Sequence, residues 1–326
     1  MLLRLTHTTE LHYTDLISES VMELRMTPRQ EADQHRLSFN LAIGPATTVN
    51  SYFDWLGNTV HALSISGFHR LIRIVATSVV ETDRQKAEVE KFADRWIGPQ
   101  NPPFADDHAL YDFLRFDGPV VDSPALRDLS NLLGAAPGMS QGELALRMLH
   151  LIAERFEYAR GHTTSASTTE EMLRHGRGVC QDFTHVMIAL ARRLGIPARY
   201  VSGLVQPDAD RFRGYTQTHA WCELLFPTAG WVGFDPTNNC IVGPNFVKVA
   251  IGRDYRDVPP NKGVYRGAAK ESIDVKVLGE ELASIPSGLA AERFQNLVLP
   301  STPDPCESSP STGPHPGRAA AQQQQQ

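Results

Sequence analysis

Cys180 lies in the run Gly176-Arg177-Gly178-Val179-Cys180-Gln181-Asp182-Phe183, with two glycines before it and an amphipathic stretch after it. Phe183, Met187, Leu190 and Leu194 recur at helical spacing on one face, so a helix is expected over 180–194, stopped by Gly195-Ile196-Pro197. The sulfur would then sit at or just inside a helix N-terminus. Unpaired N–H groups and the macrodipole favour negative charge there. The thiolate is the reactive form of cysteine, so the position suits a nucleophile. The competing reading is a buried structural cysteine that opens a core helix.

His219 shifts the balance. The run Thr218-His219-Ala220-Trp221-Cys222-Glu223-Leu224-Leu225-Phe226 reads as a strand with His219, Trp221, Glu223 and Leu225 on one face. Pro227-Thr228-Ala229-Gly230 breaks it, and Trp231-Val232-Gly233-Phe234-Asp235-Pro236 follows. A loop over 226–230 makes Leu225 oppose Trp231 and Trp221 oppose Asp235. His219 and Asp235 become diagonal neighbours on one face of an antiparallel pair, within hydrogen-bond reach. Pro236 biases Asp235 toward extended backbone, as a strand end requires. A carboxylate on one imidazole nitrogen fixes the tautomer and leaves the other for a thiol. A lone His–Asp pair is more often structural; together with a cysteine at a helix start, the catalytic reading is the better one.

The other cysteines read as bland. Cys222 falls on the strand face opposite His219 and should point into the core, Cys240 follows a turn, and Cys306 lies in a low-complexity tail. Zinc would need paired ligands of C-x-x-C type, which the chain lacks, so no metal and no cofactor are expected. Asp182 in the first helical turn reads as a partner for the helix dipole. Trp221 and Trp231 read as packing around the site.

The elements that must carry these residues fall into four regions. Residues 1–82 alternate with period two at 3–7, 21–26, 37–41, 51–55 and 71–75, with turn signals at Gly44-Pro45, Gly57-Asn58 and Gly67. They predict a small antiparallel β-sandwich or barrel. Residues 83–140 read as a helical connector, with a loop at Gln100-Asn101-Pro102-Pro103 and short helices near 107–115 and 123–133. Residues 141–285 form the expected α+β core: a helix over 140–157, a Thr/Ser-rich loop over 161–169, the Cys180 helix, and strands at 198–205, 218–226, 231–234, 246–251 and 273–278. Residues 286–326 are rich in Pro, Ser and Ala, end in five glutamines, and are expected to be disordered.

Bulk numbers exclude some classes. The chain has 326 residues, 41% hydrophobic and 21% charged, which predicts a sizeable core rather than disorder. A formal charge of −6 argues against a nucleic-acid partner, which would call for a clustered basic surface. No apolar run is long enough to span a membrane, and the start lacks a secretory pattern, so a cytoplasmic location is expected. Four cysteines in such a chain do not make a disulfide framework.

Several blocks, in order, resemble the transglutaminase-like superfamily, in its bacterial branch with an extra β-rich N-terminal domain. They are Phe156-Glu157-Tyr158 with Gly161 and Thr168; the run from Gly176 through Cys180 to His185; and Leu194-Gly195-Ile196-Pro197-Ala198-Arg199-Tyr200 with Val201-Ser202-Gly203. Thr218-His219-Ala220-Trp221-Cys222-Glu223, Gly230-Trp231-Val232-Gly233-Phe234-Asp235-Pro236-Thr237-Asn238 and Gly252-Arg253-Asp254-Tyr255-Arg256-Asp257-Val258-Pro259-Pro260 complete the set. The resemblance implies a papain-like core with the nucleophile at a helix start and the His and Asp on a neighbouring sheet. By match of motif it implies Cys180 as nucleophile, His219 as general base and acid, Asp235 as orienter, and the Cys180 backbone N–H as an oxyanion donor. The implied activity is a cysteine peptidase or amidase acting on a peptide or protein through a thioester. The alternatives are transglutaminase-type acyl transfer to an amine, from the same site, and a non-catalytic protein-binding module, against which the intact triad argues. The animal crosslinking enzymes of the superfamily use calcium and further β-domains; the chain shows no calcium loop and has no length for such domains.

Overall fold

The computed structural model describes residues 1–99, 107–206 and 218–299, and the backbone of 318–321. Two compact units emerge. One joins 1–82 to the segment from 259 onward; the other holds 83–99, 107–206 and 219–258.

The first unit is a sheet built on two long strands, β1 (Leu2–Leu24) and β4 (Thr59–Thr82), with β2 (Gln34–Gly44) and β3 (Val49–Phe53) between them in sequence. The first half of β1 pairs with the last half of β4, and the last half of β1 with the first half of β4. β2 borders one end of β4 and β3 the other. In β1 the odd positions from Leu3 to Tyr13 are buried, yet after Ile17 the buried residues are Ser20, Met22 and Leu24. Register irregularities against β4 between His12 and Ile17 and between Ile17 and Glu19 accompany this change of phase. Leu11 and Tyr13 from one half then share a core with Met22, Leu24, Phe39 and Ile65, as in a sandwich.

The second unit packs helices on a five-stranded sheet. Its helices are α1 (Pro124–Asn131), α2 (Gln141–Arg155), α3 (Thr169–His175) and α4 (Cys180–Arg193). A two-residue pair, β5 (Glu157–Tyr158) and β6 (Arg177–Gly178), joins the chain before α3 to the chain before α4. The sheet contains β7 (Ala198–Val205), β8 (His219–Phe226), β9 (Gly230–Asp235), β10 (Cys240–Ile241) and β11 (Phe246–Gly252), in the order β10-β9-β8-β7-β11. Every residue of α4 from Gln181 to Arg192 is buried. Phe183, Met187 and Leu190 meet Ala220, Cys222 and Leu224 of β8 in the main core. Each of the Phe, Met and Leu side chains among them contributes about 1.5–3 kcal/mol by leaving water.

Three expectations about boundaries change. Residues 83–140 are not a connector: Val89, Trp96, Val120, Leu126 and Leu133 lie in the same core as α4. Trp96 Nε1 donates to Leu194 O at 2.7 Å. Their elements are short 3-10 turns and an eight-residue helix, too brief to show a hydrophobic period. Residues after 258 leave the helical unit. β12 (Asn261–Arg266) pairs with the last half of β1 and β13 (Glu271–Glu281) with the first half, so both belong to the β unit. The tail is not structureless from 286: β14 (Arg293–Asn296) runs parallel to β2, and β15 (Arg318–Ala321) pairs with β12. Backbone pairing at a sheet edge needs little apolar surface, so composition does not reveal it. Cys306 and the loop expected at 100–103 lie outside the described residues.

Candidate active site

Cys180 is the first residue of α4 and is half-buried, with Val179 at the N-cap. The cap carries no side-chain oxygen of its own; instead Asp182 Oδ2 reaches back to accept the Val179 N–H at 2.8 Å. Burial comes first among the influences on Asp182 and raises its carboxyl above the ordinary range; the Val179 N–H and the Thr163 hydroxyl pull the other way. Gly178 is needed at this turn: a Cβ there would lie 2.7 Å from Asp182 Oδ2 and 2.8 Å from its Cβ.

His219 and Asp235 meet as the register requires. Leu225 pairs with Trp231 and Cys222 with Phe234, the count expected from a loop over 226–230. His219 Nε2 lies 2.8 Å from Asp235 Oδ2, and both side chains are 0% exposed. Asp235 Oδ1 accepts from the backbone N–H groups of Thr237 at 2.9 Å and Asn238 at 3.3 Å. The Asn238 amide donates to Asp235 Oδ2 at 2.7 Å. The carboxylate is thereby fixed from three sides. Burial alone would lower the His219 pKa, but the Asp235 charge and hydrogen bond, with Cys180 adding to them, outweigh it and push it up to about 10. Nδ1, the nitrogen left over, is buried and makes no well-formed hydrogen bond, while the Cys180 sulfur is near enough to act on the ring's protonation. The imidazole is held in place by aromatic neighbours: the Trp221 and Phe246 rings each lie 6.4 Å from it. Trp221 in turn stands over Gly203, where a Cβ would come within 2.3 Å of the indole.

The structure therefore brings Cys180, His219 and Asp235 together and keeps Cys222 apart from them in the core. Cys222 is fully buried, its thiol pushed up by burial and directed at Phe234 O at 3.6 Å. Cys240 pairs across β10 and β9 with Asp235. Among the described residues no three His, Cys, Asp or Glu side chains are grouped as a metal site would need. Three features of the site are not announced by residue type or spacing. Asn238 closes the matched run after Asp235-Pro236-Thr237, but nothing in its type marks a carboxylate partner. Asp182 does more than face a dipole. Tyr200 and Tyr255, from β7 and from a 3-10 turn over Tyr255–Asp257, are buried close enough to Cys180 for its negative charge to add to burial in raising both phenols. The backbone N–H of Tyr255 donates to His185 Nε2 on α4 at 3.1 Å.

Comparison with known proteins agrees with this geometry. Residues 132–236 match the family model described as the transglutaminase-like superfamily, a span that holds all three residues of the site. Residues 3–81 match the bacterial transglutaminase-like N-terminal region. An uncharacterised Mycobacterium leprae protein is 31% identical over 283 residues, 84% of this chain and 97% of that one. An uncharacterised Mycobacterium tuberculosis protein is 31% identical over 291 residues, 84% of this chain and 91% of that one. The crystal structure of a candidate cysteine protease from Cytophaga hutchinsonii shares the fold, with a TM-score of 0.66 at 22% identity over 88% of this chain and 93% of that one. The chain belongs to the transglutaminase-like superfamily, in the group that carries the bacterial transglutaminase-like N-terminal region.

Proposed function

We propose that this protein is a cysteine-dependent amide-bond hydrolase, a peptidase or amidase, with Cys180 as nucleophile, His219 as proton carrier and Asp235 as its orienter. The observation that carries the reading is the buried 2.8 Å contact of His219 Nε2 with Asp235 Oδ2, which leaves Nδ1 for the half-buried thiol at the start of α4. An imidazole held up to about 10 keeps its proton at neutral pH and can give it to a leaving group. The thiolate attacks the amide carbonyl carbon, and the Cys180 N–H at the helix start faces the oxyanion. The C–N bond breaks as His219 protonates the amine. Water, giving its proton to the now neutral imidazole, then attacks the thioester carbonyl; the C–S bond breaks, the carboxylic acid leaves, and the thiolate and protonated His219 are restored. The fold likeness to a candidate cysteine protease supports the same chemistry.

The test is Cys180→Ala. Turnover of a peptide library should fall on the order of a thousandfold or more, with unchanged circular dichroism. Wild type quenched in acid should carry one acyl group on Cys180 by mass spectrometry. Equal turnover by a folded Cys180→Ala protein would refute the mechanism.

A further inference from the structure

The segment between Gly161 and Thr168 is tied to the start of α4 by contacts that the mechanism does not use. Thr163 Oγ1 donates to Asp182 Oδ2 at 2.7 Å, the same oxygen that accepts the Val179 N–H. The Gln181 amide donates to Ser165 O at 3.2 Å. Upstream, the Ala159 N–H donates to Gly178 O at 2.9 Å, which continues the β5–β6 pairing. Downstream, Thr168 caps α3 and exchanges hydrogen bonds with Glu171. Within the segment, Thr164 and Ser167 bond each other through backbone and hydroxyl. A surface loop of this length is normally mobile. This one is fixed at both ends and at its middle, and its middle is fixed to the residues that flank Cys180. Asp182 is 2% exposed and Gln181 5%, so their desolvation has to be offset by these bonds. Thr164 and Ala166 at the crest of the segment are not buried.

We infer that Asp182 and Thr163 are positioning residues for the proposed reaction. Their hydrogen bond holds the 161–168 segment as a rigid wall beside Cys180, and the acyl donor's chain is seated against that wall. The inference rests on the reading of Cys180 as nucleophile. A wall of this kind acts on binding rather than on the thiol itself. Loss of the clamp therefore weakens seating and leaves the intrinsic reactivity of the sulfur unchanged.

The test uses two alkylating probes on the full-length protein. Iodoacetamide is too small to need the wall. A set of capped dipeptidyl chloromethyl ketones with varied side chains does need it, and saturation of labelling separates KI from the limiting rate. Thr163→Val, which keeps the shape and loses the hydroxyl, should raise KI roughly tenfold, in line with one lost bond to a charged acceptor. The limiting rate and the iodoacetamide rate should stay within about twofold of wild type, and Thr163→Ser should restore KI. A lowered melting temperature with unchanged KI would make the clamp merely structural and overturn the inference, as would a set in which no member labels Cys180 saturably. A wild-type Cys180 that iodoacetamide does not label selectively would instead sink the nucleophile reading, and this inference with it.

Discussion

At the residue scale, the pair that matters most can be placed by counting along the chain. The short turn over 227–229 sets the β8–β9 register, and the register puts His219 diagonal to Asp235. What counting cannot supply is the third side of the carboxylate. Asn238 reaches Asp235 because the chain turns back on itself after Pro236, a geometry that residue type alone does not dictate. The charge on Asp235 is the first of the influences that raise His219 against the effect of burial. A folded value above the free 6.5 means that the protonated pair supports the fold fully below about 6.5 and loses that support as pH climbs through about 10. Asp235→Asn keeps an acceptor for the Thr237 N–H but removes the charge. The alkaline limb of the pH–rate profile should move to lower pH, and the rate should fall about ten- to a thousandfold, less than for a serine triad. Superimposable profiles for the two proteins would show that Asp235 does not govern His219.

At the element scale, β8 carries more than the histidine. Glu223, on the same face, is buried between two cations: Arg199 Nε at 2.6 Å from β7 and Lys248 Nζ at 2.5 Å from β11. Arg199 also stacks over Trp231 at 4.2 Å. Burial works to raise the Glu223 carboxyl, but Lys248 and Arg199 prevail and hold it down at about 2. A folded value below the ordinary 4.5 gives a contribution that is present above about 4.5 and lost as pH falls toward 2. Glu223→Gln would take from the buried Lys248 and the half-buried Arg199 the carboxylate they share, at a cost of about 3 kcal/mol. Calorimetry at pH 7 should show a clearly lower transition for the variant, and the gap should close as wild type is taken toward pH 2; an unchanged transition would mean that the Glu223 charge does not support the sheet. The ion triad is not legible in the sequence, because Arg199, Glu223 and Lys248 become neighbours only once three strands are aligned. Strand identity itself is legible wherever an apolar alternation runs, as in β7, β8 and β13. β12 begins Asn261-Lys262-Gly263 and shows no such alternation.

At the scale of the whole molecule, the sequence indicates a β-rich region followed by an α+β region, but local composition misplaces their borders. Composition cannot show that a strand near residue 273 returns to one near residue 5. The same blindness hides β14. The Phe39 N–H donates to Ala291 O at 3.1 Å, the Leu297 N–H to Ile43 O at 2.7 Å, and the Phe294 ring stands edge-on to His61 at 5.5 Å. A chain cut after residue 285 should therefore lose about 2–4 kcal/mol of stability in the β unit. Its Cys180 should still react with iodoacetamide at the wild-type rate, since the helical unit contains none of the removed strands. An unchanged melt would mean that β14 contributes nothing in solution; a slowed thiol would mean that the tail acts on the site.

Because β12 and β13 close onto β1 from beyond residue 258, the helical unit is an insertion within the β unit. On the ribosome, β1 to β4 emerge first, yet the strands that cover β1 follow only after some 180 further residues, a delay of roughly 9–35 s at ordinary elongation rates. For that interval an alternating apolar strand presents a bare edge, the commonest template for wrong pairing. The nascent chain thus passes through a stage in which its second-made half can finish folding while its first-made half waits. Sensitivity to translation speed and to chaperone supply should accordingly belong to the sheet and not to the thiol site.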